Sequence, residues 1–510
     1  MNGGESDAKT GAAPGRGTSG LPSLATRWPL RLEPDAGRVL AALFMPGEDM
    51  PGDRSRSTVV IERVLGLSDD EVQATLAEVS ARFGGRHRDL HAAFRRNFDA
   101  VASRLPNPAA LSAPRAQLLG AYFTHEESPE GACLTNPSMV AHPDQSGLGP
   151  GELRFVLSAR AIGEGHVSRL EFRTGVVGDN LDLAVEAPGC LLVAGQRRPM
   201  VYERDVFVAQ LAQADGDPEV ADLVLDALGP RFDKVALERS VTALDRRILG
   251  RQAARETIDR LAWVAANNYE VGFAEDTAID ERVLVPTGPT ESHGIEDARF
   301  VRFVDEDGGI VYYATYTAYD GTQLAPQLLE TEDFRTFRMR QLSGPAAKNK
   351  GMALFPRRIA GRYACLSRWD RESNSLSMSD DVLNWGQPTT IQVPRRPWEL
   401  VQLGNCGAPI ETSEGWLVLT HGVGPMRTYA IGAVLLDLDD PCRVIAALSE
   451  PLLAPVADER DGYVPNVVYS CGSLLHGETL VLPFGLCDRA IGFAHVSLPL
   501  LLDRLLEAGC

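Results

Sequence analysis

The 510 residues carry 69 acidic against 50 basic side chains, a formal net charge of -19, and 44% of them are hydrophobic. That balance excludes nucleic acid and anionic membranes as partners, because both demand a cationic face, and any anionic ligand must be held by a local cluster of cations. No run approaches the roughly 18 uninterrupted apolar residues of a membrane helix.

Residues 1–22 are rich in Gly, Ser, Ala and charge and have no apolar stretch, so they read as a disordered tail and not a signal peptide, which implies a cytoplasmic protein. Residues 23–117 read as a mostly helical unit. Ser68-Asp69-Asp70-Glu71 is a capping box, Val72, Leu76, Val79 and Phe83 follow at helical spacing, and Leu90, Phe94, Phe98 and Val101 mark another helix. Pro106, Pro108 and Pro114 punctuate the exit. The apolar faces need burial, so this unit is expected to dock on the rest of the chain or on a second subunit in a homo-oligomer. Residues 118–510 read as one β domain of short strands and Gly, Asp and Pro turns, interrupted at about 203–266 by a helical insertion with Val241, Leu244 and Ile248, then Ile258 and Leu261, on single faces.

The C-terminal strands repeat. Thr331 to Phe337 and Ser379 to Trp385 share a hydroxyl-x-Asp-apolar-x-x-aromatic pattern, and units open near Asn136, Glu296, Met352, Cys406 and Asn466. Five such openings predict an all-β five-bladed propeller, with four or six blades or a pair of β-sandwiches as the alternatives, and polar residues at the openings of a propeller converge on its central channel. Gly294-Ile295-Glu296-Asp297-Ala298-Arg299 sets two acids and an arginine at the start of an apolar strand, where unpaired charge is costly and a site is the economical explanation.

Other motifs carry less. Gly163-Glu164-Gly165-His166 lacks the lysine of a phosphate-binding loop and the spacing of a dinucleotide turn. His142 with Asp144 lacks a third ligand, and the eight cysteines form no Cys-x-x-Cys pair, which predicts free thiols and no metal. No Gly-x-Ser-x-Gly elbow is present.

Gly294 to Arg299, Ala353-Leu354-Phe355-Pro356 with Gly361-Arg362-Tyr363, His421-Gly422-Val423, Gly432 to Asp437 with Pro441, and Val464-Pro465-Asn466-Val467-Val468 together resemble glycoside hydrolase family 130 over roughly residues 130 to 500. The resemblance implies a five-bladed propeller that cleaves β-mannosides with inversion, by phosphorolysis to α-mannose 1-phosphate or by hydrolysis. It implies no cofactor, with inorganic phosphate as co-substrate beside a small carbohydrate. It makes Asp297 the general acid, with Ala298 where the family has proline. Asn136, Ser138, Arg160, Glu296, Arg299, His421 and Asp488 are implied as substrate-binding, and Lys350, Arg368 and Tyr429 as phosphate-binding. Arg357 is a further candidate cation. Were water the nucleophile, Glu164, Glu459 or Asp461 would have to position it. A glycan-binding propeller without catalysis is the alternative outside enzymes, and the retained Asp297, Asn136 and Asp488 argue against it.

Overall fold

The computed structural model describes residues 24–47, 55–211, 217–244 and 246–509, so the tail expected at 1–22 lies outside the described residues. The chain is mostly β with helices. Among the described residues no helix is long and apolar enough to cross a membrane.

The segment expected as one helical unit divides. Strand Ala25–Leu32 pairs antiparallel with Ala490–Ser497, at the other end of the chain. Its Trp28, Leu30 and Leu32 alternate, which suits a strand with one buried face, and they pack beside Phe155, Ile491 and Phe493. Helices Arg56–Leu65, Asp69–Phe83, Leu90–Val101 and Ala113–Tyr122 then close on a core that includes Ile61, Val64, Val72, Leu118, Leu119 and Phe123. Ser68 and Glu71 form the expected capping box. Pro114 does not end the unit at 117. It sits in the first turn of Ala113–Tyr122, where its missing N–H costs nothing, and the helix crosses the expected boundary.

Antiparallel strands follow in successive meanders. Cys133–Ala141, Glu152–Ile162 and Ser168–Gly178 form the first, and Gly294–Val304 to Thr336–Gln341 the second. Lys350–Leu354 to Thr389–Gln392 form the third, and Gln402–Asn405 to Val444–Ala447 the fourth. Val468–Tyr469, Thr479–Leu486 and Ala490–Ser497, with Ala25–Leu32 outside, form the fifth. The Gly294–Ser168 pairing fuses the first two into one 12-stranded sheet; among the described residues the later meanders stay separate sheets. The opening strands neighbour one another in order, Cys133–Ala141 on Gly294–Val304, Gly294–Val304 on Lys350–Leu354, Lys350–Leu354 on Gln402–Asn405. Tyr429–Leu436 meets Val468–Tyr469, and Thr479–Leu486 returns to Cys133–Ala141.

Helices Arg204–Leu211, Pro218–Asp226, Lys234–Thr242 and Gln252–Asn267 form the insertion around Phe207, Val224, Leu237 and Leu261. It is fixed to the second meander where Gln210 Nε2 donates to the Gln341 carbonyl at 2.6 Å.

The arm between strand Ala25–Leu32 and the helices is fixed by buried charge. Arg38 reaches both Glu130 and, at 2.7 Å, Glu171, while Arg173 donates to Glu130 at 2.6 Å. All four side chains are buried, and burial, reinforced by Glu130, pushes the Glu171 carboxyl up to about 8. Removing Arg38 leaves the buried Glu130 carboxylate one cation short and the Glu171 carboxyl without a donor it now has, a loss of about 3–5 kcal/mol. Arg38→Met should therefore lower the free energy of unfolding by about that much in a urea titration, and a loss below about 1 kcal/mol would show that the arm is not held this way.

Candidate active site

The site begins with three irregularities in opening strands. Pairing shifts between Thr135 and Ser138 in the first meander, between Glu296 and Arg299 in the second, and between Lys350 and Ala353 in the third. Within each shift one residue takes the left-handed conformation: Asn136 at φ 49°, Asp297 at φ 55° and Gly351 at φ 87°. Such a bulge re-aims a side chain out of the regular alternation. Asn136 and Asp297 meet as a result, Nδ2 donating to Oδ1 at 2.6 Å. Gly351 supplies no side chain, and a Cβ there would lie 3.2 Å from Cβ of Arg368. Non-glycine residues in this conformation cost on the order of 1 kcal/mol or more and persist where their surroundings fix them, as at ligand sites.

A cavity of about 170 Å³ opens over these bulges. Its carboxylates are Asp297 and Asp488, and its cations are Arg160, Lys350, Arg368 and Arg427. Asn136, His421 and Tyr429 also face it, so eight of the residues singled out in the sequence converge there. Asp488 comes from the turn between Thr479–Leu486 and Ala490–Ser497, where it and Cys487 both have positive φ.

Three expected sugar contacts lie one layer behind. Glu296 accepts from Arg160 at 2.7 Å and from Lys350 on its other oxygen. Ser138 Oγ accepts from the Phe300 N–H at 3.0 Å. Arg299 donates to the Asp297 carbonyl at 3.1 Å and to the Tyr469 hydroxyl at 2.7 Å. The bulge accounts for this: it turns Asp297 toward the cavity and leaves its neighbours facing protein.

Arg357 is elsewhere, paired with Glu411 at 2.7 Å and lying over Trp416. The candidate water-positioning acids are also absent from the lining. Glu164 is exposed beside His125, Glu459 is buried and receives Arg27 at 2.7 Å, and Asp461 is exposed. Gln402, Arg427 and Tyr469 were not singled out from the sequence, yet they line the cavity. Tyr469 sits just past Val464-Pro465-Asn466-Val467-Val468, which was the available signal. Arg427 lies in the Pro425–Arg427 turn, where Met426 and Arg427 both have positive φ.

Burial pushes the Asp297 carboxyl up, but Lys350, Arg160, Arg299 and the Asn136 amide together outweigh it and hold the group at about 2. Asp488 is displaced the other way, raised by its burial and then by Asp297, against the pull of Arg160. His421 is held well below its usual value by burial, then by Arg368 and Arg299, and so is neutral. Its Nδ1 lies 3.1 Å from the Asn405 carbonyl, to which it donates, leaving Nε2 to accept from Arg368 at 3.0 Å. Arg368 Nε has no hydrogen-bond partner among the described residues. The arrangement can hold an anion beside a carboxylate that exchanges a proton with a bound ligand.

Comparison with known proteins agrees with this chemistry. The profile of a family described as beta-1,4-mannooligosaccharide phosphorylase matches residues 265–507. The 1,2-beta-oligomannan phosphorylase of Thermoanaerobacter sp. is 34% identical over 225 residues, spanning 42% of this chain and 72% of the relative. The chain belongs to glycoside hydrolase family 130. A second family member, the beta-1,2-mannobiose phosphorylase of Listeria innocua, is 32% identical over 236 residues, covering 44% of this chain and 64% of the relative. A solved structure of a Listeria innocua beta-1,2-mannobiose phosphorylase with β-1,2-mannobiose covers 73% of this chain and 92% of its own, at 22% identity and a TM-score of 0.45. The family match contains Asp297, Lys350, Arg368, His421, Tyr429 and Asp488, while Asn136 and Arg160 precede it.

Because the folded Asp297 value lies below the ordinary 3.8, its ionisation stabilises the fold; that contribution is present above 3.8 and is lost as pH falls toward about 2. Urea unfolding of wild type and Asp297→Asn should therefore show a stability difference that shifts against the wild type as pH drops from 5 to about 2.5. A difference constant across that range would mean that the cations do not hold the carboxylate.

Proposed function

We propose that the chain is an inverting β-mannoside phosphorylase, releasing α-mannose 1-phosphate from manno-oligosaccharides. The observation that carries this reading is the charge of the cavity, four cations against two carboxylates, with Glu164, Glu459 and Asp461 outside it. Phosphate is already an anionic nucleophile and needs cations rather than a second carboxylate acting as base. The cyclic order of contacts between the meanders further supports a five-bladed propeller in which this cavity is the central site.

In this mechanism Lys350 and Arg368 hold the phosphate dianion with Tyr429, and Arg427 adds charge from the rim. Lys350 is directly opposite Arg368 in strand register, so the two cations flank one point. Lys350 supplies a point charge where an arginine would give a planar fork. Asn136, Arg160 and Asp488 bind the mannosyl unit. A phosphate oxygen attacks the anomeric carbon from the face opposite the leaving group, the C1–O bond breaks, and the departing oxygen takes the proton, giving the α-phosphate by inversion. The surrounding cations hold Asp297 ionised at neutral pH. Phosphate beside Lys350 and Arg368 offsets the charge that depresses it, so the bound ligands raise its proton affinity, and it delivers the proton directly or through a sugar hydroxyl.

Two substitutions test the assignment. Asp297→Asn retains the shape and the neighbours but has no proton to give, so kcat on an unactivated mannoside should fall about 10² to 10⁴-fold with sugar binding retained; near-normal activity would remove Asp297 from the role. Charge-assisted hydrogen bonds contribute about 1.5–3 kcal/mol each, so Arg368→Ala should raise the KM for phosphate at least about tenfold. An unchanged phosphate KM would mean that the anion binds elsewhere.

A further inference from the structure

The cavity is small for an oligosaccharide. At about 170 Å³ it lies below the roughly 300–1,000 Å³ of sites that enclose larger ligands, so it encloses little beyond the reacting groups, and the rest of a longer sugar must lie on the rim. Two segments that contribute to the cavity carry between them a ring pair that neither the acid nor the phosphate cations use. His166 stacks on Tyr463 with centroids 6.0 Å apart and planes 28° from parallel, and the Tyr463 hydroxyl lies 3.3 Å from His166 Nδ1. Both come from segments that feed the cavity. Arg160, on the strand leading into the His166 turn, lines it, as does Val464, next to Tyr463.

Tyr463 is 59% exposed, more than any other described Phe, Tyr or Trp. An exposed ring of this kind is normally mobile, but both supports are fixed. Gly163 opens the His166 turn against the helical unit's exit segment so closely that a Cβ would lie 2.1 Å from the Ser128 carbonyl oxygen. Arg169, just beyond the turn, binds Glu127 and donates to the Val167 carbonyl at 3.0 Å. On the other side Val464 N–H donates to the Cys487 carbonyl at 2.9 Å, and Arg27 holds Glu459 in the same loop. A rigid ring with an apolar face and a polar edge suits the C–H face of a pyranose, and little ordering entropy is lost when a sugar settles on it.

We propose that the His166–Tyr463 pair is the platform for the sugar on the leaving-group side of the scissile bond, setting affinity for the second unit of a β-mannoside without touching phosphate. This rests on the active-site reading above, and it assigns the helical unit a positioning task, since its exit segment 124–130 grips the turn that carries His166.

The test is calorimetric binding of mannose and of β-1,2- and β-1,4-mannobiose, without phosphate, to Asp297→Asn alone and combined with Tyr463→Ala, His166→Ala or Tyr463→Phe. Tyr463→Ala should weaken binding of at least one mannobiose about tenfold while changing mannose binding less than about twofold. His166→Ala should weaken the same disaccharide in the same sense, and Tyr463→Phe, which keeps the ring, should stay within about twofold of its parent. Equal losses for mannose and mannobiose, or unaltered mannobiose binding in Tyr463→Ala, would overturn the platform. Thermal unfolding of each variant separates loss of the fold from loss of the subsite. Failure of the wild type to form mannose 1-phosphate would overturn the phosphorolytic reading alone, and the binding comparison would still decide the platform.

Discussion

The cavity depends on how Glu296 divides its carboxylate. One oxygen takes Arg160 from the first meander and the other takes Lys350 from the third, so a residue of the second meander ties three parts of the chain together beneath the site. With both cations committed there, Asp297 beside them is held ionised and bonded to Asn136. A buried group of this kind is a weak source of stability, because desolvation offsets most of the attraction, but it fixes positions, since losing one partner strands the others. Preorganisation is what the chemistry requires. In the proposed mechanism a phosphate entering between Lys350 and Arg368 meets charge already in place and needs no second reorganisation.

The two carboxylates that face the cavity are pushed apart. Asp297 lies under three cations, and Asp488 is raised by its burial, with Asp297 adding to the rise against the pull of Arg160. Environments that separate two acids in one site give them different tasks. In the proposed mechanism Asp297 gains a proton when a bound anion dilutes the positive field around it. In the same mechanism Asp488, on its positive-φ turn, hydrogen-bonds a sugar hydroxyl.

Much of this was legible in the sequence because it is carried by local motifs. Gly294 to Arg299 and the Val464 to Val468 run each mark the start of a strand, the Leu354-Phe355-Pro356 run marks the end of one, and residues beside them converge. Spacing alone did not separate Glu296 from Asp297; the resemblance made Asp297 the acid, but it also made Glu296 a sugar contact, which in the structure pairs with Arg160 and Lys350 instead. The two acids are adjacent, and only the bulge decides which faces the ligand and which faces protein. Strand Ala25–Leu32 was read as part of a helical unit because its partner, Ala490–Ser497, lies at the opposite end of the chain, and periodicity in one segment says nothing about so distant a neighbour. Glu459 was a plausible base by composition; its pairing with Arg27 is equally non-local. Arg427 sits in a turn without a motif, and only the geometry brings it to the cavity.

The proposed mechanism has the cations of the cavity hold the nucleophile. It is tested most directly by following the products of β-mannobiose turnover as phosphate is titrated from zero. No turnover is expected without phosphate and, as phosphate is added, α-mannose 1-phosphate should form with one free sugar for each bond broken. Free mannose released from both halves of the disaccharide, at a rate indifferent to phosphate, would contradict it.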